Sequence, residues 1–164
     1  MQYKAKYEII INLKEVISMS LHWDNSLSTG IDNIDNQHKE LFNSINKLVY
    51  VMKEEKVVDE VLKSLDLFEK CVIKHFNEEE AIMKQRNYPK FSLQHSQHEE
   101  FKNQLKILRN IFETTGVSSL FVITVQQKMA KWSRKHIMEL DKDLGKFLIE
   151  KSRIQEETLF KKVN

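Results

Sequence analysis

The sequence predicts an all-α protein, an up-down-up-down bundle of four helices. Its 164 residues include only three glycines and one proline, whereas a sheet protein needs many tight turns and therefore more of both. Four long segments repeat apolar residues at helical spacing, and short stretches of helix-breaking residues separate them. Helices joined by short connections pack as antiparallel neighbours, which favours the bundle.

The helix-breaking residues predict where each helix begins and ends. A first helix is expected at about 33–54 and a second at about 57–86, ending before Pro89. A third begins near Pro89, a residue that suits a first helical turn, and ends at 113–116. The fourth is expected at about 118–150. Each is long enough to cross a small domain.

Three segments make up the predicted domain organisation. Residues 1–18 form an N-terminal extension of unknown role, with Met19 as an alternative start. The bundle domain occupies 19–150, and a charged C-terminal tail follows at 151–164. No repeat or interdomain linker divides the chain.

The composition is that of a globular domain. Hydrophobic residues make up 41% and charged residues 30% of the chain, which is ordinary. A net charge of +2 favours neither nucleic acid nor an anionic membrane, and no apolar run approaches the roughly 20 residues of a membrane span. The lone Cys71 cannot form an internal disulfide, so a cytoplasmic location is the default expectation.

Each predicted helix has polar side chains inside its apolar stripe. His38, His98 and His136 lie on the first, third and fourth stripes, while His75 and Glu79 lie one turn apart on the second. A single such histidine is ordinarily a hydrogen-bonded core residue. Four of the six histidines on four inward faces, beside a carboxylate with no Lys or Arg on the stripes to pair with it, indicate a metal site.

The donor types favour two iron ions over one zinc ion. Zinc needs four ligands, commonly cysteines in structural sites, whereas this chain offers more than four candidates and no CxxC or HExxH motif. The Glu-x-x-His spacing of ferritin-like di-iron proteins is also missing from the sequence. An excess of imidazoles beside bridging-capable carboxylates is typical of a different di-iron chemistry.

Four motifs, in this order and at these separations, resemble those of the bacterial hemerythrins. They are "GIDNIDNQHKELF" (30–42), "HFNEEEAIM" (75–83), "YP....Q...HEEF" (88–101) and "WSRKHIMELD" (132–141), and the resemblance covers roughly 19–148. It implies a di-metal site in the bundle core, with two non-haem iron ions joined by an oxo or hydroxo bridge. It also implies reversible binding of dioxygen.

The resemblance implies six iron ligands: His38, His75, Glu79, His98, His136 and Asp141. The two carboxylates would bridge the irons. The first two histidines would bind the iron that keeps an open position for oxygen, and the last two would bind the other. Periodicity alone does not predict Asp141, since it lies ~140° around an ideal helix from His136 and Asp143 lies nearer the stripe. Asp141 therefore requires a locally widened turn, and a solvated surface charge is the alternative for either residue.

One ligand position departs from the family pattern. The family has a second histidine four residues before His98, where this chain has Gln94, and His95 is displaced by one. Relative to His98, Gln94 lies at about −40° and His95 at about +60°, while the apolar residues centre near −30°. Gln94 is therefore expected to face the core and to ligate weakly through its amide oxygen, or to leave the place to water. His95 remains the alternative ligand if the turn tightens.

The resemblance also implies the lining of the oxygen pocket. Phe76, Trp132 and Ile137 match lining positions, although ordinary core packing is their alternative role. Ser133 stands where many bacterial hemerythrins have a leucine. Its hydroxyl would make the pocket less sealed.

Oxygen carriage, storage or delivery is the leading functional prediction, with no catalytic residue assigned. The expected partners are dioxygen and an unidentified redox or oxygen-consuming protein. Two alternatives remain open: an enzyme that reduces peroxide or nitric oxide, favoured by Ser133 and Gln94, and a stand-alone oxygen or redox sensor. A metal-free bundle is the least compatible with a buried Glu79.

Overall fold

The protein consists mainly of long helices. Its structure is a computed structural model that describes residues 22–54, 57–116 and 118–163. The extension at 1–18 and Met19 lie outside the described residues. A 3₁₀ turn, Asn25–Leu27, precedes the long helices. These are α1 (Asp32–Lys53), α2 (Val58–Arg86), α3 (Phe91–Thr115), α4 (Ser119–His136) and α5 (Lys142–Val163). A π-helical turn, Ile137–Asp141, joins α4 to α5 without a break, so these two helices form the fourth rod of the bundle.

The connections between helices follow from local sequence. Asn87 ends α2 in the left-handed conformation, at φ 53°, and the N–H of Tyr88 bonds back to the carbonyl of Met83. This 6→1 bond closes a helix in the manner of a Schellman motif. The side chain of Ser118 accepts a bond from the N–H of Phe121 and caps the start of α4. The expected four helices are therefore found within two residues of their predicted starts.

The predicted up-down-up-down bundle is confirmed. Helix α1 packs on α2 and α4, and α2 packs on α3. Most of the apolar stripe on each helix is buried, and among the largest fully buried side chains are Phe42, Phe68, Phe76 and Phe101. None of the helices in the described part of the chain has both the length and the apolar character that a membrane span requires.

Two apolar clusters lie at different levels of the bundle. The larger includes Phe42 and Phe68, and the smaller includes Ile34, Met83 and Leu144. The inward-facing polar side chains fall between these clusters along the helices, because these three members of the smaller cluster each lie about one turn from one of the polar side chains. The candidate site is therefore enclosed in the core.

The fourth rod is longer than the sequence predicted. The predicted end at Glu150 is wrong, since α5 continues to Val163 with largely exposed side chains. Glycine and proline are missing after Gly145, and Arg153 bonds to both Glu150 and Glu157 on the helix surface. Such pairs three and four residues apart support a helix without tertiary burial. That the bundle domain ends at 150 stays a prediction.

A polar loop holds α5 against the start of α1. The backbone N–H and the hydroxyl of Thr29 both donate to the carboxylate of Asp35, at 2.8 Å and 2.7 Å. The same loop packs on α5 at Gly145, where a Cβ atom would overlap the carbonyl oxygen of Thr29. Since Gly145 lies one turn after Asp141 and Asp35 one turn before His38, this contact helps bring those two side chains together.

Candidate metal centre

All four rods contribute to one buried cluster of imidazoles and carboxylates. Donor atoms of one group lie within 4.8 Å of one another, and the same holds for a second group. The first group is His38, His75, Glu79 and Asp141, and the second is Glu79, His98 and His136. The structure thus brings together all six residues that the sequence singled out. Glu79 belongs to both groups.

Each carboxylate lies between two histidines from different halves of the cluster. The two oxygens of Asp141 lie 3.1 Å from Nε2 of His38 and 3.2 Å from Nε2 of His136. One oxygen of Glu79 lies 3.8 Å from Nε2 of His75 and 3.6 Å from Nε2 of His98. A carboxylate placed between two pairs of imidazoles is in position to bridge two metal ions.

The π-helical turn explains how Asp141 reaches this cluster. The N–H of Lys142 bonds to the carbonyl of Ile137, five residues earlier, so the turn holds one residue more than an α-helical turn. The extra residue moves Asp141 onto the face of His136. Asp143 accepts bonds from Tyr88 and Lys90, at 2.7 Å and 2.9 Å, away from the cluster. The widened turn expected from the resemblance is present.

Three of the four imidazoles bond through Nδ1 to a side-chain oxygen outside the cluster. The pairs are His75 with Gln37 at 3.0 Å, His98 with Glu80 at 3.0 Å, and His136 with Gln97 at 3.2 Å. An oxygen in this position accepts the Nδ1 proton, which leaves the Nε2 lone pair free to face a metal. Sequence reasoning missed all three acceptors. Each acceptor is adjacent in sequence to a predicted ligand, and no other feature of the sequence marks it. The histidine that it bonds lies on another helix, which the sequence of a single helix does not reveal.

Burial sets the protonation of the cluster. It lowers the pKa of His98 to about 4, and it holds the pKa of His75 well below its ordinary value. Burial, with Asp141 and Glu80 nearby, raises the pKa of Glu79 well above its ordinary value. Burial also acts to raise the pKa of Asp141, but His136 and His38 outweigh it and lower that pKa. The imidazoles of His75 and His98 are therefore neutral and able to ligate.

The donor set fits a pair of transition-metal ions. Glu79 is fully buried, and neither of its oxygens has a hydrogen-bond partner among the described residues. A buried carboxylate without such a partner is costly unless a cation neutralises it. Imidazole nitrogens with bridging carboxylate oxygens suit iron better than calcium or magnesium, which prefer oxygen ligands alone.

Gln94 and His95 point in different directions. Gln94 is fully buried, and within the described part of the chain neither atom of its amide has a hydrogen-bond partner. His95 has a side chain 46% exposed, stacks on Phe91 and bonds to Glu80. Gln94 thus lies on the inward face, one turn before His98. The structure does not bring His95 to the cluster.

A small cavity of about 10 Å³ adjoins the cluster, close to the least volume that holds one water molecule. All four predicted pocket residues line it: Phe76, Trp132, Ser133 and Ile137. Phe76 stacks on His98 at 3.9 Å between ring centroids, and Trp132 stacks on His136 at 4.4 Å. Apolar rings therefore cover these two imidazoles, and Ser133, 7% exposed, places a hydroxyl in this apolar wall.

Comparison with known proteins decides the family. A family model described as the hemerythrin HHE cation-binding domain matches residues 29–148, most of the chain. The chain belongs to the hemerythrin family. The hemerythrin domain thus contains the whole cluster, including the π-helical turn, and the predicted resemblance is confirmed.

Individual hemerythrins are similar to this chain over much of its length. The bacteriohemerythrin of Clostridium acetobutylicum is 28% identical over 124 residues, which cover 74% of this chain and 95% of that protein. The bacteriohemerythrin of Pseudomonas aeruginosa strain PAO1 is 35% identical over 96 residues, covering 57% and 60%. A solved hemerythrin, in which tyrosine replaces one leucine, superimposes with a TM-score of 0.68 at 25% identity, covering 79% of this chain and 98% of that one.

Proposed function

We propose that this hemerythrin-family protein binds dioxygen reversibly at two non-haem iron ions joined by an oxo or hydroxo bridge. The observation that carries the proposal is the sharing of Asp141, whose two oxygens lie 3.1 Å and 3.2 Å from histidines of different pairs. A buried bridging carboxylate between two imidazole pairs suits two metal ions held close together. When bound, two ferrous ions supply the two electrons that dioxygen takes up.

Each side chain has a proposed part in holding the irons. His38 and His75 would hold one iron, and His98 and His136 would hold the other. Glu79 and Asp141 would bridge them, as their position between the pairs supports. Gln94 would take the remaining inward place as a neutral amide ligand or cede it to water.

The apolar wall would keep water and protons away from the iron-binding side chains. Phe76 and Trp132 cover His98 and His136 at stacking distance, and the adjoining cavity of about 10 Å³ admits little more than one small molecule. Excluding water hinders the loss of reduced oxygen that would leave the irons oxidised. The proposed role is therefore oxygen carriage, storage or delivery in the cytoplasm, to a redox or oxygen-consuming protein.

Repeated oxygenation of the purified protein tests this function. The protein is loaded with ferrous iron without air and then cycled between air and argon while its visible spectrum is recorded. We expect about two irons per chain and a visible band that appears in air and disappears under argon. Glu79→Ala should lose iron. Bleaching in the first cycle, a single zinc ion per chain, or full iron loading of Glu79→Ala would contradict the proposal.

Reduction of peroxide or nitric oxide is the second candidate function. Ser133 in the wall and the neutral Gln94 beside His98 favour it, since both make the site more accessible and less saturated with imidazole. Steady-state consumption of either substrate with an electron donor measures it. Turnover that survives many cycles, without reversible oxygenation, would favour the enzyme over the carrier.

A further inference from the structure

Glu80 is a carboxylate shared by two imidazoles at the edge of the metal centre. Its Oε1 lies 3.0 Å from Nδ1 of His98, and its Oε2 lies 3.0 Å from Nδ1 of His95. Each oxygen thus faces one imidazole nitrogen at hydrogen-bond distance, an arrangement that favours the ionised carboxylate. An ionised carboxylate only accepts, so both Nδ1 groups donate to it.

This acceptor differs in charge from those of the other bonded imidazoles. His75 and His136 donate to the amide oxygens of Gln37 and Gln97, which are neutral. A charged acceptor makes a stronger hydrogen bond than a neutral one. A metal-binding imidazole that donates to a carboxylate also becomes a more basic ligand. His98 is therefore set apart from the other two.

The charged acceptor lies on the side of the site where one donor is weak. Gln94 is one turn before His98 on the same inward face, and its amide is a poorer ligand than an imidazole. His95, the neighbouring residue, faces outward and holds Glu80 instead. The cluster thus lacks one imidazole, at the position of Gln94. The imidazole of His95 does not face the cluster but bonds to Glu80, which in turn bonds to His98.

We infer that Glu80, held by His95, is a positioning residue that strengthens the metal bond of His98; this inference rests on the proposed function. Glu80 thereby offsets the neutral amide of Gln94 on the same metal ion. The centre can hold two metal ions with one imidazole fewer because the hydrogen bond to Glu80 makes His98 a more basic ligand.

The position of His95 is itself held by packing. Its ring stacks on Phe91 with an interplanar angle of 9°, and the ammonium of Lys84 lies 5.0 Å from the centroid of Phe91 on the surface. A carboxylate at the edge of a bundle can otherwise turn towards water. With His95 bonded to one oxygen, Glu80 keeps the other oxygen directed at His98.

Metal affinity in Glu80→Gln tests the role of the charge. The amide keeps the shape of the side chain and removes its charge. Anaerobic titration against a chelator should still find two ferrous ions per chain, one of them bound about 10- to 100-fold more weakly, the usual effect of such outer residues. Glu99→Gln is the matched control, because it removes an equal charge from an exposed residue next to His98 that pairs with Lys102. Equal affinities in the two variants would overturn the inference.

Reduction potential separates this role from a merely structural one. A more basic His98 favours ferric over ferrous iron, so Glu80→Gln should raise the potential of the centre. A tenfold change in the relative binding of the two oxidation states corresponds to about 59 mV for one electron. An unchanged potential, beside weakened binding, would show that Glu80 only supports the fold.

His95→Phe tests whether His95 holds Glu80 in position, because it removes the bond to Glu80 and keeps an aromatic ring to stack on Phe91. It should shift affinity and potential in the same direction as Glu80→Gln, by a smaller amount, and should add nothing in the double variant. In the zinc-loaded protein, the Nδ1 proton signal of His98 should move upfield in both variants. If the Nδ1 proton signal of His98 is the same in His95→Phe as in the parent protein, His95 does not hold Glu80 in position. These readings need no oxygen, so they remain valid even if reversible oxygenation fails.

Discussion

Replacing Glu79 by glutamine should stabilise the metal-free protein and destabilise the metal-loaded one. The carboxylate is fully buried, and neither oxygen has a hydrogen-bond partner among the described residues. Without a cation, its negative charge opposes folding; with two cations, it is a bridging ligand. Glu79→Gln keeps the size of the side chain and removes the charge, so the two states should respond in opposite directions.

The dependence on pH follows from the raised pKa of Glu79. Burial raises it well above the ordinary value of 4.5, so the folded apoprotein holds this proton at pH values where the unfolded chain has lost it. The contribution of Glu79 to stability is then complete below about pH 4.5 and is lost as pH rises through the raised pKa. Glu79→Gln should therefore resemble the parent near pH 4 and exceed it at pH 7 to 8.

The size of the effect follows from the raised pKa. The amide of Glu79→Gln is as buried as the carboxyl it replaces, so the substitution removes only the cost of the charge, and each unit by which burial raises the pKa of Glu79 corresponds to about 1.4 kcal/mol. For a domain of this size, 1 kcal/mol shifts the melting temperature by about 2–4 °C, so each such unit should raise the melting temperature of the apo variant by about 3–6 °C at neutral pH. In the loaded parent, free metal at about 1,000 times its dissociation constant adds about 4 kcal/mol, which the variant should largely lose.

Calorimetry of apo and iron-loaded forms at several pH values measures both effects. Glu40→Gln, an equal change on an exposed residue of α1, controls for net charge. An apo variant that melts below its parent at pH 7 would refute the reasoning. So would an iron-loaded variant as stable as the loaded parent.

Three further predictions concern the pocket, the altered ligand position and the loop contact. Ser133→Leu and Ser133→Ala should both slow autoxidation, because each removes the hydroxyl from the apolar wall; stopped-flow spectra check this, and an unchanged rate in both would exclude the hydroxyl. Gln94→His should tighten iron binding, while His95→Ala should still retain two irons; one iron in His95→Ala would instead make His95 a ligand. Gly145→Ala should destabilise the protein by about 1–3 kcal/mol, since a Cβ would overlap the carbonyl of Thr29, and equal stability by urea unfolding would contradict that contact.

The helices and the inward polar residues could be predicted from the sequence because helical periodicity is local. Counting about 100° per residue places His38, His75, Glu79, His98 and His136 on core faces, and the structure buries all five. Scarce glycine and proline likewise predicted few, short connections. The end of α5 was missed since no breaking residue marks it and surface ion pairs, not burial, extend it.

Family resemblance supplied what periodicity could not. An ideal helix turns Asp141 away from His136, and only the π-helical turn returns it to within 3.2 Å. The motif therefore anticipated a distortion that the spacing of apolar residues does not encode. The inward direction of Gln94, by contrast, followed from the helical angle, and Gln94 lies buried on the predicted face.

The sequence by itself determined which side chains face the core, because that depends on the period of a single helix. Only the tertiary structure decided which partners those side chains meet. Gln37 and Gln97 each lie next to a predicted ligand of their own helix, yet they bond histidines of another helix. His95 likewise bonds to Glu80, a residue of another helix. Such contacts depend on the distance, register and rotation between packed helices, which are set by how side chains interlock across the core.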